Sequence, residues 1–176
     1  KKFQELLASA IRKATNNLKV ENCLGDNLRG CKNCFKCFRV INGGENLRYV
    51  CPADRFSNAM DATGAQSSFA YETSGVIHAQ QIRFSSMLRT GREVEYSMEC
   101  NNCDYVFGCV GLKNKKYCIF NKQYTEDEYW PLVDEIKTKM LATLEYGEFF
   151  PLKMSAVAYE DSSASIDFPL SEEEIA

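Results

Sequence analysis

The sequence predicts a mainly β protein whose core is a parallel β-solenoid, with an N-terminal and a C-terminal amphipathic helix as caps. The prediction depends on short pairs of alternating apolar residues that recur through the middle of the chain. The first members of successive pairs lie 12, 22, 13, 12, 11 and 12 residues apart. A strand and a turn in every ~12 residues is typical of a fold with many short strands. The pairs are Phe35/Cys37, Leu47/Tyr49, Phe69/Tyr71, Ile82/Phe84, Val94/Tyr96, Tyr105/Phe107 and Tyr117/Ile119.

Segments with turn chemistry separate these pairs, for example residues 42–44, 61–64 and 90–92. An even repeat with few two-residue hairpin signals favours stacked coils, in which two or three strands form one coil. An antiparallel β sandwich with flanking helices is the alternative, because its strands recur at similar spacings.

The first predicted unit, residues 1–22, is an N-terminal capping helix. Its apolar residues recur at three- and four-residue steps, which indicates an amphipathic helix. They are Phe3, Leu6, Leu7, Ala10, Ile11, Ala14 and Leu18. Terminal coils of a solenoid expose apolar surface, so we expect this helix to cover one end of the cysteine-rich β core, residues 23–124.

The second predicted helix occupies residues 125–147. Thr125, followed three residues later by Glu128, is a capping box that indicates a helix start. Pro131 within a helix costs about 3 kcal/mol, so we expect a separate turn before it and the main helix from the proline onward. Gly147 is expected to end this helix, which would close the other end of the core.

Residues 148–176 are predicted to form an extended strap anchored by Tyr159 and Phe168. Ser171 and Glu174 have the spacing of a further capping box, two residues before the last residue of the sequence. A helix start without a helix predicts that a longer natural protein continues into a C-terminal region missing here.

Composition restricts the possible functions. The chain has 176 residues, 45% of them hydrophobic, and a net charge of −3, which disfavours a general nucleic-acid or acidic-membrane binder. Neither a transmembrane segment nor a signal peptide is visible. The nine cysteines are an odd number and several lie only three positions apart, unlike most secreted disulfide scaffolds. We therefore expect a reducing, cytoplasmic location.

The cysteines fall into two local sets, with Cys23 left over. Zinc accepts four thiolates, and a C-x2-C pair supplies two of them readily, so each set is a candidate structural zinc site. The first set is Cys31, Cys34, Cys37 and Cys51, and the second is Cys100, Cys103, Cys109 and Cys118. A ladder of buried cysteines is an alternative, because Cys37, Cys51 and Cys109 share their apolar alternation with aromatic residues. An iron–sulfur cluster is a third possibility, although the 13-residue gap before Cys51 departs from the bacterial ferredoxin spacing.

The two C-x2-C pairs lie 69 residues apart, as 100 − 31 and 103 − 34. With two strands in each coil, this separation corresponds to about three coils and roughly 14 Å. That distance is too large for the two pairs to share one metal ion.

Two further features are weaker indications of function. His78 is the only histidine and has no identifiable catalytic partner, so we do not predict an enzyme. Four lysines lie among aromatic residues, a combination that can bind single-stranded nucleic acid but is also typical of a solvated turn. They are Lys113, Lys115, Lys116 and Lys122.

The words FGCVGLKNKKYCIFNKQYTEDEY, EYGEFFP and FPLSEEEIA resemble an uncharacterised cysteine-rich family found in environmental bacterial and archaeal genomes. The resemblance covers most of the chain from the first cysteine run onward. Proteins similar to this one continue beyond the FPL segment into zinc-ribbon-like C-x2-C pairs. The resemblance therefore implies a zinc-binding context and a longer protein, and no activity.

These observations together predict a non-enzymatic structural or interaction module of a larger protein or assembly, with a protein partner and no membrane contact. One alternative is a zinc-stabilised module that binds nucleic acid through the four lysines. Another is an iron–sulfur or thiol redox protein.

Overall fold

A computed structural model describes residues 2–151, 155, 157–162, 164–167 and 169–171. It confirms the parallel β-solenoid, with about eight stacked coils and a helix at each end. The strands are β1 (Glu21–Leu28), β2 (Cys31–Arg48), β3 (Ala53–Ala65), β4 (Ser68–Ser86), β5 (Arg89–Glu95), β6 (Asn101–Phe107), β7 (Lys116–Ile119) and β8 (Lys122–Gln123). The helices are α1 (Lys2–Ser9), α2 (Glu126–Ala142) and α3 (Ala164–Asp167), with a 3-10 helix at Tyr159–Asp161. No helix in this part of the chain has both the length and the apolar character needed to cross a membrane.

The repeating unit of the coil has three residues. In β2, every third side chain is buried inside the solenoid: Cys31, Cys34, Cys37 and Val40. Two exposed residues follow each of them, and the second has a left-handed backbone, as at Asn33 with φ 53°. Because a left-handed residue turns the chain sharply, each coil consists of four short sides of three residues.

One coil takes about twelve residues. The parallel register pairs Arg89 with Asn101, and a bridge then pairs Asn101 with Lys113. The predicted interval is therefore correct, but the expectation of two strands per coil is wrong, because one interval completes a whole coil. The predicted two-residue alternation is wrong as well. Phe35 and Tyr49 are 39% and 46% exposed, because only every third residue faces inward.

Asparagine occupies many of the left-handed corners, since its short polar side chain tolerates this conformation. One column of corners forms an asparagine ladder, in which each side-chain amide donates to the next at 3.0, 3.1 and 3.0 Å. Its members are Asn22, Asn33, Asn46 and Asn58. The ladder adds side-chain hydrogen bonds to the backbone bonds between coils.

Helix α2 begins directly after Thr125. The Glu128 amide donates to Thr125 Oγ1 at 3.4 Å, and the Thr125 amide donates to the Glu128 carboxylate at 3.0 Å, which completes the capping box. Pro131 lies inside the continuous helix, so the expectation of a separate turn before it is wrong. The carbonyl that Pro131 leaves unpaired belongs to Asp127, an exposed residue, and water can satisfy it. The helix ends at Ala142 and does not reach Gly147.

The terminal segments differ in part from the expectations. Helix α1 spans only Lys2–Ser9, and none of its residues is buried. Within the predicted strap, the Tyr159 hydroxyl accepts a hydrogen bond from the Leu170 amide at 2.7 Å. Phe168 and the capping box predicted at Glu174 lie outside the described residues.

One side of the solenoid carries α2, and we call its column of outward residues the α2 face. The column is Leu24, Phe35, Arg48, Met60, Tyr71, Arg83, Glu95, Phe107 and Ile119. Its covered half runs from Arg83 to Ile119, where Tyr129 and Val133 of α2 are buried against the coils. Its open half runs from Leu24 to Met60 and carries no helix among the described residues. Tyr71, at the boundary, packs against Phe84 of the covered cluster.

Candidate functional site: two buried thiol clusters

Eight of the nine cysteines lie at inward positions and form two groups. The N-terminal thiol cluster is Cys23, Cys31, Cys34 and Cys37, and the C-terminal thiol cluster is Cys100, Cys103, Cys109 and Cys118. Cys23 is partly exposed, whereas the other seven are 0–2% exposed. The C-x2-C-x2-C run places three thiols in one coil because its spacing equals the three-residue repeat.

Cys51 does not join a cluster. It is exposed on an outward position, although the sequence grouped it with Cys31, Cys34 and Cys37. Cys23 takes its place, because β1 and β2 pair Cys23 with Cys34. The sequence contained a signal for this pairing: Cys23 and Cys34 lie 11 positions apart, which is close to one coil interval.

Every clustered thiol satisfies a backbone carbonyl of its own coil. Each Sγ donates to the carbonyl two residues earlier, at 3.1–3.5 Å. The inward serines do the same: Ser67, Ser85 and Ser97 donate to the carbonyls of Ala65, Arg83 and Glu95 at 2.7–3.0 Å. At an inward position, cysteine and serine therefore both donate to the backbone carbonyl two residues earlier. This shared role supports the buried cysteine ladder.

One inward column also satisfies amides of the next coil. The Ser97 amide donates to Ser85 Oγ, and the Cys109 amide donates to Ser97 Oγ, both at 3.0 Å. The Asn121 amide then donates to Cys109 Sγ at 3.1 Å. A buried amide without a partner is costly, so these side chains stabilise the stacking directly.

Burial decides the protonation of four of these thiols. It raises the pKa values of Cys31, Cys100 and Cys118, and it raises the pKa of Cys109 to about 11. These groups are therefore neutral thiols at neutral pH, which makes them poor nucleophiles.

Cys34 and Cys37 affect each other. The interaction between their side chains lowers the pKa of Cys37 to about 7. The same interaction, followed by burial, raises the pKa of Cys34, so Cys34 is the member of the pair that keeps its proton.

The two clusters are farther apart than the sequence indicated. The 69 residues between the C-x2-C pairs span nearly six coils of twelve residues. At ~4.8 Å per coil this is roughly 28 Å. The distance is about twice the expected one, because one twelve-residue interval forms a coil where two were assumed. At this larger distance, too, the two C-x2-C pairs cannot share one metal ion.

No group of three or more His, Cys, Asp or Glu side chains within the described ranges is arranged to hold a metal ion. All nine cysteines belong to those ranges. Zinc binding by either cysteine set therefore stays a prediction, which metal analysis of the purified protein would test.

The four lysines are exposed but do not form one surface. Lys116 pairs with Asp104 at 3.2 Å, and Lys115 donates to Gln123 at 3.3 Å. Lys122 lies 4.8 Å from the Tyr124 ring, and Lys113 lies on a different side of the last coil from Lys116. His78, the other residue considered, is exposed at a left-handed corner.

Glu95 is a central residue of the α2 face that the sequence did not reveal. Its carboxylate is 5% exposed and accepts hydrogen bonds from Arg83 and Lys137 at 2.7 Å and from the Tyr146 hydroxyl at 3.0 Å. Lys137 belongs to α2, so this buried ion pair fastens the helix to the coils. Only the twelve-residue register, which places Glu95 between Arg83 and Phe107, could have indicated the contact.

Two cavities lie along the open half. The first-coil cavity has a volume of about 670 Å³ and is lined by Cys23, Cys34, Phe35 and Arg48, among others. The second, of about 330 Å³, is lined by Arg48, Met60 and Tyr71. Arg48 therefore lies between two recesses of the same surface.

Comparison of the chain with protein-family models, with curated proteins and with solved structures finds no match.

Proposed function

We propose that the protein is a non-enzymatic interaction module, and that the open half of the α2 face binds helix α1 of a second copy of the chain. The observation that carries this proposal is the difference between two halves of one face. A helix covers one half, and the other half offers apolar side chains and two cavities to solvent.

The open half has the composition of a helix-binding surface. Leu24 and Phe35 expose large apolar side chains, and the ring of the corner residue Tyr49 lies 5.7 Å from that of Phe35. The exposed Phe69 lines the second cavity with Met60 and Tyr71. Contiguous exposed apolar surface of this kind is typical of protein-binding sites. The covered half shows how such a surface is used, since the apolar side chains of α2 are buried on it.

Helix α1 has the complementary property. Phe3, Leu6 and Leu7 lie on one stripe of an amphipathic helix, and all three are exposed. An amphipathic helix normally buries its apolar stripe against another element. A second copy supplies such an element if α1 of each chain lies on the open half of the other.

Charge also favours this pairing. Arg48 is exposed in the middle of the open half, and Glu5 is the acidic residue of α1. Neither of them makes an ion pair with another described residue. Reciprocal exchange of the two helices gives a closed dimer with twofold symmetry, in which the contact forms twice.

Sedimentation velocity over a range of protein concentrations tests the proposal. We expect a dimer for the wild type and a monomer for Leu6→Asp, because a carboxylate would replace an apolar anchor. Leu144→Asp is the matched control, since Leu144 is 84% exposed and lies outside both surfaces. Circular dichroism of each variant would show that the fold is retained.

A charge exchange identifies the contact. Glu5→Arg and Arg48→Glu should each weaken the dimer by up to about 25-fold, because a pair at the edge of an interface is worth up to about fivefold and the contact forms twice. The double variant should restore the dimer. A wild type that remains monomeric throughout, or a dimer that Leu6→Asp leaves unchanged, would overturn the proposal.

A further inference from the structure

We propose that Cys23 and Cys34 form a thiol–disulfide exchange site, which accepts a small disulfide from the first-coil cavity and closes into an intrachain disulfide. This proposal does not rest on the helix-binding function proposed above, but the two sites share one surface. Leu24, Phe35 and Arg48 line the first-coil cavity and also belong to the open half, so a bound α1 would compete with the small disulfide.

The backbone places the two cysteines at disulfide distance. They are direct partners in the parallel register of β1 and β2. Neighbouring strands lie ~4.8 Å apart, within the roughly 4.4–6.8 Å between Cα atoms that a disulfide requires. Both cysteines occupy inward positions of the same column, so a bond between them needs no change of register.

Access distinguishes Cys23 from the other clustered thiols. It is partly exposed, whereas the other seven are 0–2% exposed. Cys23 and Cys34 both line the first-coil cavity, together with Asn22, Asn33 and Arg48. Side-chain amides and a guanidinium suit a disulfide that carries amides and carboxylates, such as oxidised glutathione.

The exchange proceeds in two steps. The Cys23 thiol gives its proton to solvent, and its sulfur attacks the small disulfide RSSR; a Cys23–SR bond forms, the S–S bond breaks, and RS⁻ leaves as RSH after taking a proton. Cys34 then loses its proton and attacks the Cys23 sulfur, which forms the Cys23–Cys34 bond and releases a second RSH. The balance is RSSR plus two protein thiols giving one protein disulfide plus two RSH, so the protein is oxidised and RSSR is reduced.

Cys34 is the resolving thiol because it is the register partner of Cys23 and lines the same cavity. Cys51 has no such neighbour, because it faces outward and lies outside both clusters.

Trypsin separates the relevant cysteines. Cleavage after Arg29, Lys32 and Lys36 places Cys23, Cys31 and Cys34 on three different peptides. We would treat the full chain with oxidised glutathione, block the remaining thiols, and identify the products by intact mass and by peptide mapping.

In the Cys51→Ser protein we expect loss of two hydrogens, no retained glutathione, and a link between the peptides of Cys23 and Cys34. In the wild type, Cys51 should additionally retain one glutathione, because no thiol can resolve it. Cys34→Ser should keep glutathione on Cys23, whereas Cys31→Ser should still close.

Three outcomes would overturn the proposal: a fully reduced Cys23, a glutathione on Cys23 that persists when Cys34 is present, or a disulfide to another cysteine. The wild-type and Cys51→Ser maps decide the matter even if Cys34→Ser fails to fold.

Discussion

The two halves of the α2 face are built on the same column of outward positions, yet only one of them is covered. In the covered half, a buried carboxylate at Glu95 and buried contacts of Tyr129 and Val133 hold α2 in place. In the open half, the corresponding positions hold Leu24, Phe35 and Arg48, which are exposed. The coil backbone is the same in both halves, and it therefore does not determine whether a face is covered by a helix or exposed to solvent. The side chains at the equivalent positions make the difference.

The largest expected effect is at Glu95. Glu95→Ala removes the carboxylate that pairs with Arg83 of the coils and Lys137 of α2. The two cations are then left without a partner between the helix and the coils. Breaking a buried ion pair from one side costs about 3–5 kcal/mol, and we expect a value near the lower end because both cations retain some water. Urea unfolding would measure it. Glu99→Ala, an exposed change in the same coil, is the control and should lie within about 0.5 kcal/mol of the wild type.

A pair of matched truncations compares the halves directly. Val133→Ala should lower the free energy of unfolding by about 2 kcal/mol, because the Val133 side chain of α2 is buried against the coils. Leu24→Ala should lower it by less than about 0.5 kcal/mol, because Leu24 is 55% exposed. Both changes are measured by urea unfolding in the Leu6→Asp background, where we expect a monomer. Equal losses of unfolding free energy would contradict the distinction between the halves.

Alkaline pH should loosen the covered half. Burial and the Glu95 charge raise the pKa of Tyr146 from its ordinary 10.0 to about 12. Because the folded pKa is the higher one, the contribution of Tyr146 is complete below pH 10 and is lost as the pH rises to 12. Burial also raises the pKa of Tyr129, so both tyrosines act in the same direction.

The fluorescence of Trp130, which lies on α2 with its ring 5.5 Å from that of Tyr105, should follow this release. Tyr146→Phe cannot ionise, so its fluorescence should change less between pH 10 and 12 than that of the wild type. An identical pH profile for the two proteins would assign the transition to other groups.

A smaller effect than the loss at Val133 is expected in the asparagine ladder, whose members Asn22 and Asn33 border the open half. Asn33→Ala places alanine in a left-handed conformation and removes two side-chain hydrogen bonds, so a loss of about 1–2 kcal/mol is expected in urea unfolding. Asn33→Gly separates the two causes, because it removes the hydrogen bonds but tolerates the backbone. If both variants lose the same amount, the left-handed corner contributes nothing measurable.

The coil interval was predictable from the sequence, because stacked coils repeat their apolar residues at a constant distance. The path within a coil was not. Alternation of Phe35 with Cys37 predicts a strand of period two, but left-handed corners at Asn33 and Lys36 divide the chain into sides of three. A left-handed backbone leaves no clear pattern when lysine, tyrosine or glutamate occupy the corners as well as asparagine.

The candidate site was predictable in the same partial way. The C-x2-C spacing correctly indicated thiols that share one coil, because three residues is one side. Cys51 was misassigned and Cys23 overlooked, since their positions depend on the exact register between coils. Glu95 was missed because nothing in the local sequence marks a charged residue that a distant helix will bury.

Departures from the twelve-residue interval occur next to glycine. The register shifts at Gly25, at Gly44 and at Gly64, and a Cβ on Gly25 or Gly64 would lie 1.9 Å from a carbonyl oxygen of the next coil. From Ile77 to Lys113 the pairing proceeds without such a shift. This uninterrupted stretch is the part of the molecule into which a complete twelve-residue unit could be duplicated or from which one could be deleted. Such a change would alter the length of the protein in steps of one strand spacing and leave the N-terminal thiol cluster, which lies outside this stretch, intact.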